Sequence, residues 1–332
     1  MSTPIDARTI AEGFGRTTAL VVGDVMVDAY LWGRVDRISP EAPVPVVQVT
    51  DRSARLGGAA NVARNLRALG AKAIVASIIG DDADARTLEK LLKDEGLGAE
   101  GIVRSAQRRT TVKTRIISGH QHVVRVDEEM EEPITAQEED KLMARITALL
   151  DAERPGVLVL EDYDKGALTE RVITGAIAAA HARAIPVAVD PKKRNFFTYR
   201  GADLFKPNLK ELREGLKIDL RAGDLEGVGA SVRALEERLG NRASLITLSE
   251  HGVYAHHAGE EVVLPAHPRK IVDVSGAGDT VIATAALCLA QGLPLRTLAA
   301  WSNLAGGLVC EQVGVVPVDK EQLTREAERL AL

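Results

Sequence analysis

Apolar positions along the chain fall into two alternating rhythms. Ala19-Leu20-Val21-Val22 is an unbroken apolar run closed by Gly23-Asp24, the pattern of a strand buried on both faces that delivers a loop, with Asp28 just beyond it. Over 58–69, Ala59, Val62, Ala63, Leu66 and Leu69 recur at helical spacing, and Gly70 ends the run. The same reading predicts a strand over 73–79, helices over 84–95 and 137–152, a strand over 157–161, a helix over 170–184 and a strand over 186–190. Such alternation predicts an α/β fold with a doubly wound, mainly parallel sheet.

Two segments break the rhythm. Residues at about 30–50 are rich in Val and Pro. Those at about 108–127 carry Val112, Ile116, Ile117, Val123, Val124 and Val126 with no helix between them. They predict a small antiparallel sheet inserted into the main body, which would serve as a lid over a ligand, as an oligomer interface, or as both. No Pro/Gly/Ser-rich linker divides the chain, so one domain over 1–332 with an inserted lid is expected.

Composition narrows the function. A formal net charge of −5 supplies no broad basic field, which argues against a nucleic-acid partner. No run approaches the roughly 18 apolar residues of a membrane helix. The start, with Asp6, Arg8, Glu12 and Arg16, reads as a polar lead-in. Cys288 and Cys310 lie far apart inside apolar helical patterns and read as buried thiols, which suits a reducing, cytoplasmic compartment.

The candidate chemistry begins at Asp273-Val274-Ser275-Gly276-Ala277-Gly278-Asp279-Thr280, a small-residue loop followed by an apolar helical run. Without a Cβ at Gly276 and Gly278, the backbone can turn sharply and bring its N–H groups to an anion at the positive end of a helix. Asp279 then either takes a proton from an attacking hydroxyl, as in phosphoryl transfer, or only complements the helix start; the local pattern leaves both open.

Four other places are weaker alone. Gly57-Gly58-Ala59-Ala60-Asn61 sets flexible backbone beside an amide able to meet a polyhydroxylated ligand, or is a plain helix entry. Asn208-Leu209-Lys210-Glu211 could orient water around Mg²⁺, or form a capping box, or both. Ser249-Glu250-His251-Gly252 follows the buried-strand pattern Leu245-Ile246-Thr247-Leu248, at a strand end where a nucleotide could lie. Asn303-Leu304-Ala305-Gly306-Gly307 makes room for adenine or for close helix packing. The chain contains no Gly-x-x-x-x-Gly-Lys-Ser/Thr loop, no Gly-x-Gly-x-x-Gly after a strand, and no histidines at zinc-ligand spacing.

In order, Gly57-Gly58 with Asn61, Asn208 with Glu211, and the 273–280 loop follow the arrangement of ribokinase-like (PfkB-type) carbohydrate kinases, which this chain resembles over nearly its whole length. More narrowly, it resembles the members that act on D-glycero-β-D-manno-heptose 7-phosphate. That likeness is carried by Gly23-Asp24 with Asp28, the run Asp36-Arg37-Ile38-Ser39-Pro40-Glu41-Ala42-Pro43-Val44-Pro45-Val46, Asp162-Tyr163-Asp164-Lys165-Gly166, Asp190-Pro191-Lys192 and Lys206-Pro207-Asn208-Leu209.

The resemblance implies Asp279 as catalytic base, with Gly276, Ala277 and Gly278 as the anion hole for the γ-phosphoryl group of ATP. It implies Asn208-Leu209-Lys210-Glu211 beside the nucleotide, with Asn208 and Glu211 serving Mg²⁺ through water. Ser249, Gly252 and Asn303 fall in the nucleotide region, and Asp28, Gly57, Gly58 and Asn61 at the sugar. The implied reaction gives heptose 1,7-bisphosphate for ADP-heptose and lipopolysaccharide-core synthesis. Other acceptors on this fold, or a non-catalytic sugar-nucleotide-binding regulator, are the alternatives.

A sugar already bearing a phosphate needs cations at its far end. Arg37, Arg109, Lys113, Arg115 and Arg125 are candidates, and charge demand favours Lys165 and Lys192. One lid segment departs from the family: Ser118-Gly119-His120-Gln121-His122 stands where Ser-Arg-Asn-Gln-Gln is usual, with Arg125 and Asp127 retained. No His-x-Gly-His motif occurs, so a separate adenylyltransferase is expected downstream, and the lid's apolar strands suggest a homodimer.

Overall fold

The computed structural model describes residues 6–119, 121–221 and 223–332; His120 therefore lies outside the described residues. The expected polar lead-in is a helix, α1 (Ala7–Phe14), because Ala7, Ile10, Ala11 and Phe14 share one buried face and Asp6 caps its start. The chain continues through β1 (Thr18–Gly23), β2 (Val25–Ile38), β3 (Pro45–Gly58), α2 (Ala59–Ala68), β4 (Lys72–Gly80), α3 (Ala83–Asp94) and β5 (Gly101–Ser105). Next come β6 (Val112–Ser118), β7 (Gln121–Glu128), α4 (Ala136–Glu153), β8 (Val157–Glu161), α5 (Glu170–His181), β9 (Val187–Asp190) and β10 (Leu204–Phe205). The last third holds α6 (Leu209–Leu216), α7 (Leu225–Leu239), β11 (Ala243–Thr247), β12 (Val253–His257), β13 (Glu260–Leu264), α8 (Ala277–Ala290), α9 (Leu295–Val309) and α10 (Lys320–Leu330).

The main sheet runs β13-β12-β11-β10-β9-β8-β1-β4-β5, parallel from β11 to β5, with β12 and β13 antiparallel at one edge. Parallel strands covered on both faces read as continuous apolar runs, and β1, β8 and β9 do: Ala19 to Val22, Val157 to Leu160 and Val187 to Val189 are buried. One apolar layer sets α1, α2, α8, α9 and α10 on one face, and a second sets α4, α5 and α7 on the other. The chain leaves β1 in one direction toward β4 and β5, and later in the other through β8 to β11. The strand order therefore reverses between β1 and β8, where open α/β sheets form their ligand crevice.

The second sheet, β3-β2-β6-β7, is built from the two segments that break the rhythm, with longer strands than predicted because only Asp24 separates β2 from β1 and β3 runs directly into α2. Its outer pairs are antiparallel, while the central pair of β2 and β6 is parallel. That pairing brings strands from two distant segments side by side, an arrangement local alternation does not report. Among the described residues no helix is long and apolar enough to cross a membrane.

Candidate active site

The carboxyl ends of β1, β8 and β9 meet at the strand-order reversal, with Gly23 opposite Glu161 and Glu161 opposite Asp190 in register. Asp24, just past β1, ties the crossing together. Its carboxylate accepts from the backbone N–H groups of Tyr163 (2.9 Å), Lys165 (3.0 Å) and Ala167 (3.0 Å), and so fixes the loop after β8. Burial, then the charge of Asp162, pushes the Asp24 carboxyl up to about 6 despite those bonds.

That loop presents Tyr163 to Asp279. The Tyr163 hydroxyl donates to Asp279 Oδ1 at 2.8 Å, and Asn61 Nδ2, from the first turn of α2, donates to Asp279 Oδ2 at 2.7 Å. Asp279 lies in the first turn of α8, 5% exposed, with both oxygens held by groups from distant segments. Burial raises its carboxyl to about 6; the bonds from Asn61 and Tyr163 pull it down, Asp190 pushes it up, and Lys206 opposes that. A carboxyl at that value, aimed and ionised at neutral pH, is poised as a general base.

Gly276 caps α8 at φ +78°, a left-handed conformation that disfavours any side chain; a Cβ there would stand 3.1 Å from Asn61 Nδ2. Behind it, Asn65 Oδ1 accepts from Thr280 Oγ1 (2.9 Å) and from Val318 N–H (3.1 Å), locking α2 against α8. At the start of α8 the Ala277 N–H donates to the Val274 carbonyl at 3.3 Å, while those of Gly276 and Gly278 have no backbone partner among the described residues. Gly58 has φ +60°, and a Cβ on it would meet the Asp24 carbonyl at 2.3 Å, so this position must be glycine for β3 to turn into α2. The helix-entry reading of Gly57-Gly58 is therefore present whatever else the pair does.

A cavity of about 850 Å³ extends from Asp279 past Lys192 and Asn208 to Ser249 and Asn303. Asn208 and Glu211 form the capping box of α6: Asn208 Oδ1 accepts from Glu211 N–H at 2.9 Å, and Glu211 Oε2 from Asn208 N–H at 2.8 Å. Glu211 Oε1 meets Lys192 Nζ at 2.5 Å, and Leu209 and Lys210 line the same wall. Lys192 also lies over the Tyr163 ring, 5.2 Å from its centre. Ser249 stands at φ +53° in a single 3₁₀ turn, and Gly252 brings the chain so close to the Leu264 carbonyl that a Cβ would clash at 2.1 Å. Asn303 donates to the Pro265 carbonyl at 2.8 Å, and Gly306 packs against Val281; both of these residues also line the cavity, so close packing and open space coexist there.

Sequence reasoning gave no role to the pair formed by Lys206 Nζ and Asp190 Oδ2, 2.7 Å apart and almost fully buried. Nor did it single out Glu161, fully buried, with both oxygens lacking a hydrogen-bond partner among the described residues. Burial first, then Asp190 and Asp279, pushes the Glu161 carboxyl well above the carboxylate range. Glu161 and Asp190 end β8 and β9, and Lys206 directly follows β10, the one local signal that could have marked them.

Two expectations change. Asp28 is not in a loop past a strand but inside β2, buried and ion-paired with Arg115 of β6, because β2 starts at Val25. Lys165 does not line the cavity of about 850 Å³ that holds Asp279; its ammonium is held by Glu129 at 2.9 Å and Glu131 at 3.1 Å, which leaves it poorly placed as a phosphate ligand there.

The pattern of the pfkB family carbohydrate kinases matches residues 16–321. The chain belongs to that family. It is a phosphotransferase acting on a carbohydrate hydroxyl. It is 43% identical over 322 residues to the bifunctional protein HldE of Methylobacillus flagellatus, covering 96% of this chain and 65% of the relative. It is 46% identical over 318 residues to HldE of Caulobacter vibrioides, covering 95% and 64%. The chain thus spans less than two thirds of the length of these relatives. Phosphofructokinase-2 from Escherichia coli superimposes with a TM-score of 0.78 at 19% identity, covering 95% of this chain and 99% of that one. Arabidopsis thaliana ribokinase complexed with ribose and ATP superimposes at 0.72 with 17% identity, covering 93% and 99%. Both show the same ribokinase-like fold.

Proposed function

We propose that this pfkB-family kinase transfers the γ-phosphoryl group of ATP to the anomeric hydroxyl of D-glycero-β-D-manno-heptose 7-phosphate. The observation that carries the reading is the Asp279 carboxylate, held by Asn61 and Tyr163 at the glycine-opened start of α8. The heptose assignment rests on the resemblance in 36–46, 162–166 and 190–192, and the identity to bifunctional proteins named HldE supports it.

In this reading the acceptor lies between the lid and α2, against Asp28, Gly57, Gly58 and Asn61. Asn61 Oδ1 is buried without a partner among the described residues, so it can accept from a sugar hydroxyl while Nδ2 holds Asp279. Asp279 takes the proton of the attacking hydroxyl, and the N–H groups of Gly276 and Gly278, joined by that of Ala277 once it leaves the Val274 carbonyl, hold the charge of the phosphoryl in transit. The nucleotide lies along Asn208 to Glu211, Ser249, Gly252 and Asn303, with Lys192 facing its phosphates.

Among the described residues no group of three or more His, Cys, Asp or Glu could hold a metal by itself. Asn208 and Glu211 nevertheless fit Mg²⁺ brought in on phosphates: Glu211 already spends its oxygens on Lys192 and on the Asn208 N–H, so contact through water suits it. Held there, the ion would supply positive charge against the phosphates of the nucleotide.

The test is ADP release from MgATP with the heptose 7-phosphate, fructose 6-phosphate, ribose and adenosine, for the wild-type chain and for Asp279→Asn. Turnover with the heptose phosphate, reduced by about 10²–10⁴-fold in the variant while nucleotide still binds, is expected. Near-normal turnover in Asp279→Asn sinks the base assignment, and turnover with another acceptor alone sinks the heptose.

A further inference from the structure

A second, smaller cavity of about 150 Å³ opens on the other side of the 273–279 loop: Ser275 lines it, while Gly276 lines the large one. It is well below the roughly 300–1,000 Å³ of a pocket that takes a whole small molecule, and of a size for one charged group. Lid strands form its far wall. Arg55 of β3 and Arg115 of β6 both lie against the Tyr30 ring, 5.4 and 5.5 Å from its centre, and Tyr30 stacks on Trp32 at 5.8 Å. His122 of β7 completes the basic side.

One guanidinium here, that of Arg55, has no ion-pair partner among the described residues, although the Asp273 carboxylate also lines the cavity. Arg115 is paired with Asp28, and the Asp273 carboxylate is occupied by the N–H groups of Ser275 and Gly314, both at 2.9 Å. Arg55 donates to the Val315 carbonyl at 2.8 Å, and no carboxylate among the described residues lies within ion-pair distance of it. A guanidinium carries five N–H donors, and only Nη1 of Arg55 has a partner among the described residues. Two guanidiniums on one ring, with an imidazole opposite, make a fork for an anion.

We propose that this cavity is the subsite for the phosphate already present on the acceptor sugar, with Arg55 as its principal ligand and Arg115 and His122 beside it. The proposal rests on the sugar-phosphate kinase reading and specifies how that acceptor is selected. Its position follows from two contacts: Arg115 pairs with Asp28 at the sugar, and the loop that forms one wall continues into Asp279. A sugar bound at Asp28 with one end at Asp279 therefore has the cavity at its flank. His122 lies in the lid segment that departs from the family pattern, so this chain meets the phosphate with an imidazole there.

The experiment compares the full chain with Arg55→Gln on D-glycero-β-D-manno-heptose 7-phosphate and on the same heptose without its phosphate. Arg55→Gln should raise KM for the phosphorylated sugar about tenfold or more, with kcat within a few-fold and the unphosphorylated sugar unaffected, since one charge-assisted contact is lost. Equal losses on both sugars, or none, would overturn the proposal. Trp32 lines the cavity and supplies a readout independent of turnover, the other tryptophan, Trp301, being fully buried. Titration with inorganic phosphate should change its fluorescence saturably in the wild type and in Asp279→Asn, but not in Arg55→Gln. If no sugar is phosphorylated, the kinase assignment fails while this titration still decides the subsite: an Arg55-dependent signal supports it, and its absence overturns it.

Discussion

Replacing Tyr163 by Phe removes one of the two bonds that keep Asp279 ionised, and its effect can be worked from the geometry. The hydroxyl donates at 2.8 Å to a buried carboxylate whose pKa already stands at about 6. A hydrogen bond to a charged group contributes roughly 1.5–3 kcal/mol, and one pKa unit is about 1.36 kcal/mol, so the carboxyl should rise by roughly 1–2 units, to roughly 7–8. In the proposed mechanism the working form of Asp279 is the anion, so activity should increase with pH through this pKa. At pH 7 the wild type would be about 90% ionised and the variant roughly 10–50%, whereas at pH 9 both would exceed about 90%. The assay is kcat at saturating substrates from about pH 5 to 9.5, with ADP release coupled to a pH-insensitive detector. The acid limb should move up by at least about one unit, with most of the loss at pH 7 recovered by pH 9. An unmoved limb, or an equal loss at every pH, would refute the view that Tyr163 acts by holding Asp279 as a base.

Lys206→Met leaves Asp190 buried without its partner, which should cost roughly 3–5 kcal/mol; calorimetry at neutral pH should show a Tm lowered by roughly 4–7 °C, largely restored by adding Asp190→Leu. Gly276→Ala forces a side chain into the left-handed region at a cost of roughly 1–2 kcal/mol and presses on Asn61, so kcat should fall about tenfold while the ATP Kd changes little; parallel loss of ATP affinity would point instead to a collapsed helix start. The lid exposes Ile38, Val124 and Val126 at 61%, 48% and 47%, and we propose that a second copy of the chain covers them. Light scattering should give a dimer that Ile38→Lys with Val126→Lys converts to monomer, and a monomeric wild type would end that idea.

The strands and helices of the main body were legible because their signal is local. A strand covered on both faces must be apolar throughout, as at 19–22 and 157–160, and a surface helix must repeat its apolar face, as at 59–69. The glycine loop with Asp279 and the capping box at Asn208 and Glu211 were legible for the same reason, since backbone turning and capping depend on residues within one turn of each other. The two readings offered for Asn208 and Glu211 were never separable locally, because the geometry that caps α6 is also the one that faces the cavity.

Tertiary structure decided what depends on partners far along the chain. Asn61 and Asp279 are 218 residues apart and Tyr163 and Asp279 are 116 apart, so no spacing rule could join them; strand pairing at the order reversal does. The same applies to the parallel pairing of β2 with β6, which sets Arg115 against Asp28, and to the carboxylates that occupy Lys165. Residue type and local spacing determined the elements and the kind of chemistry they could host. Which charges are paired, buried or left for a ligand was decided only by packing, because an electrostatic partner is chosen by distance in space and by exclusion of water.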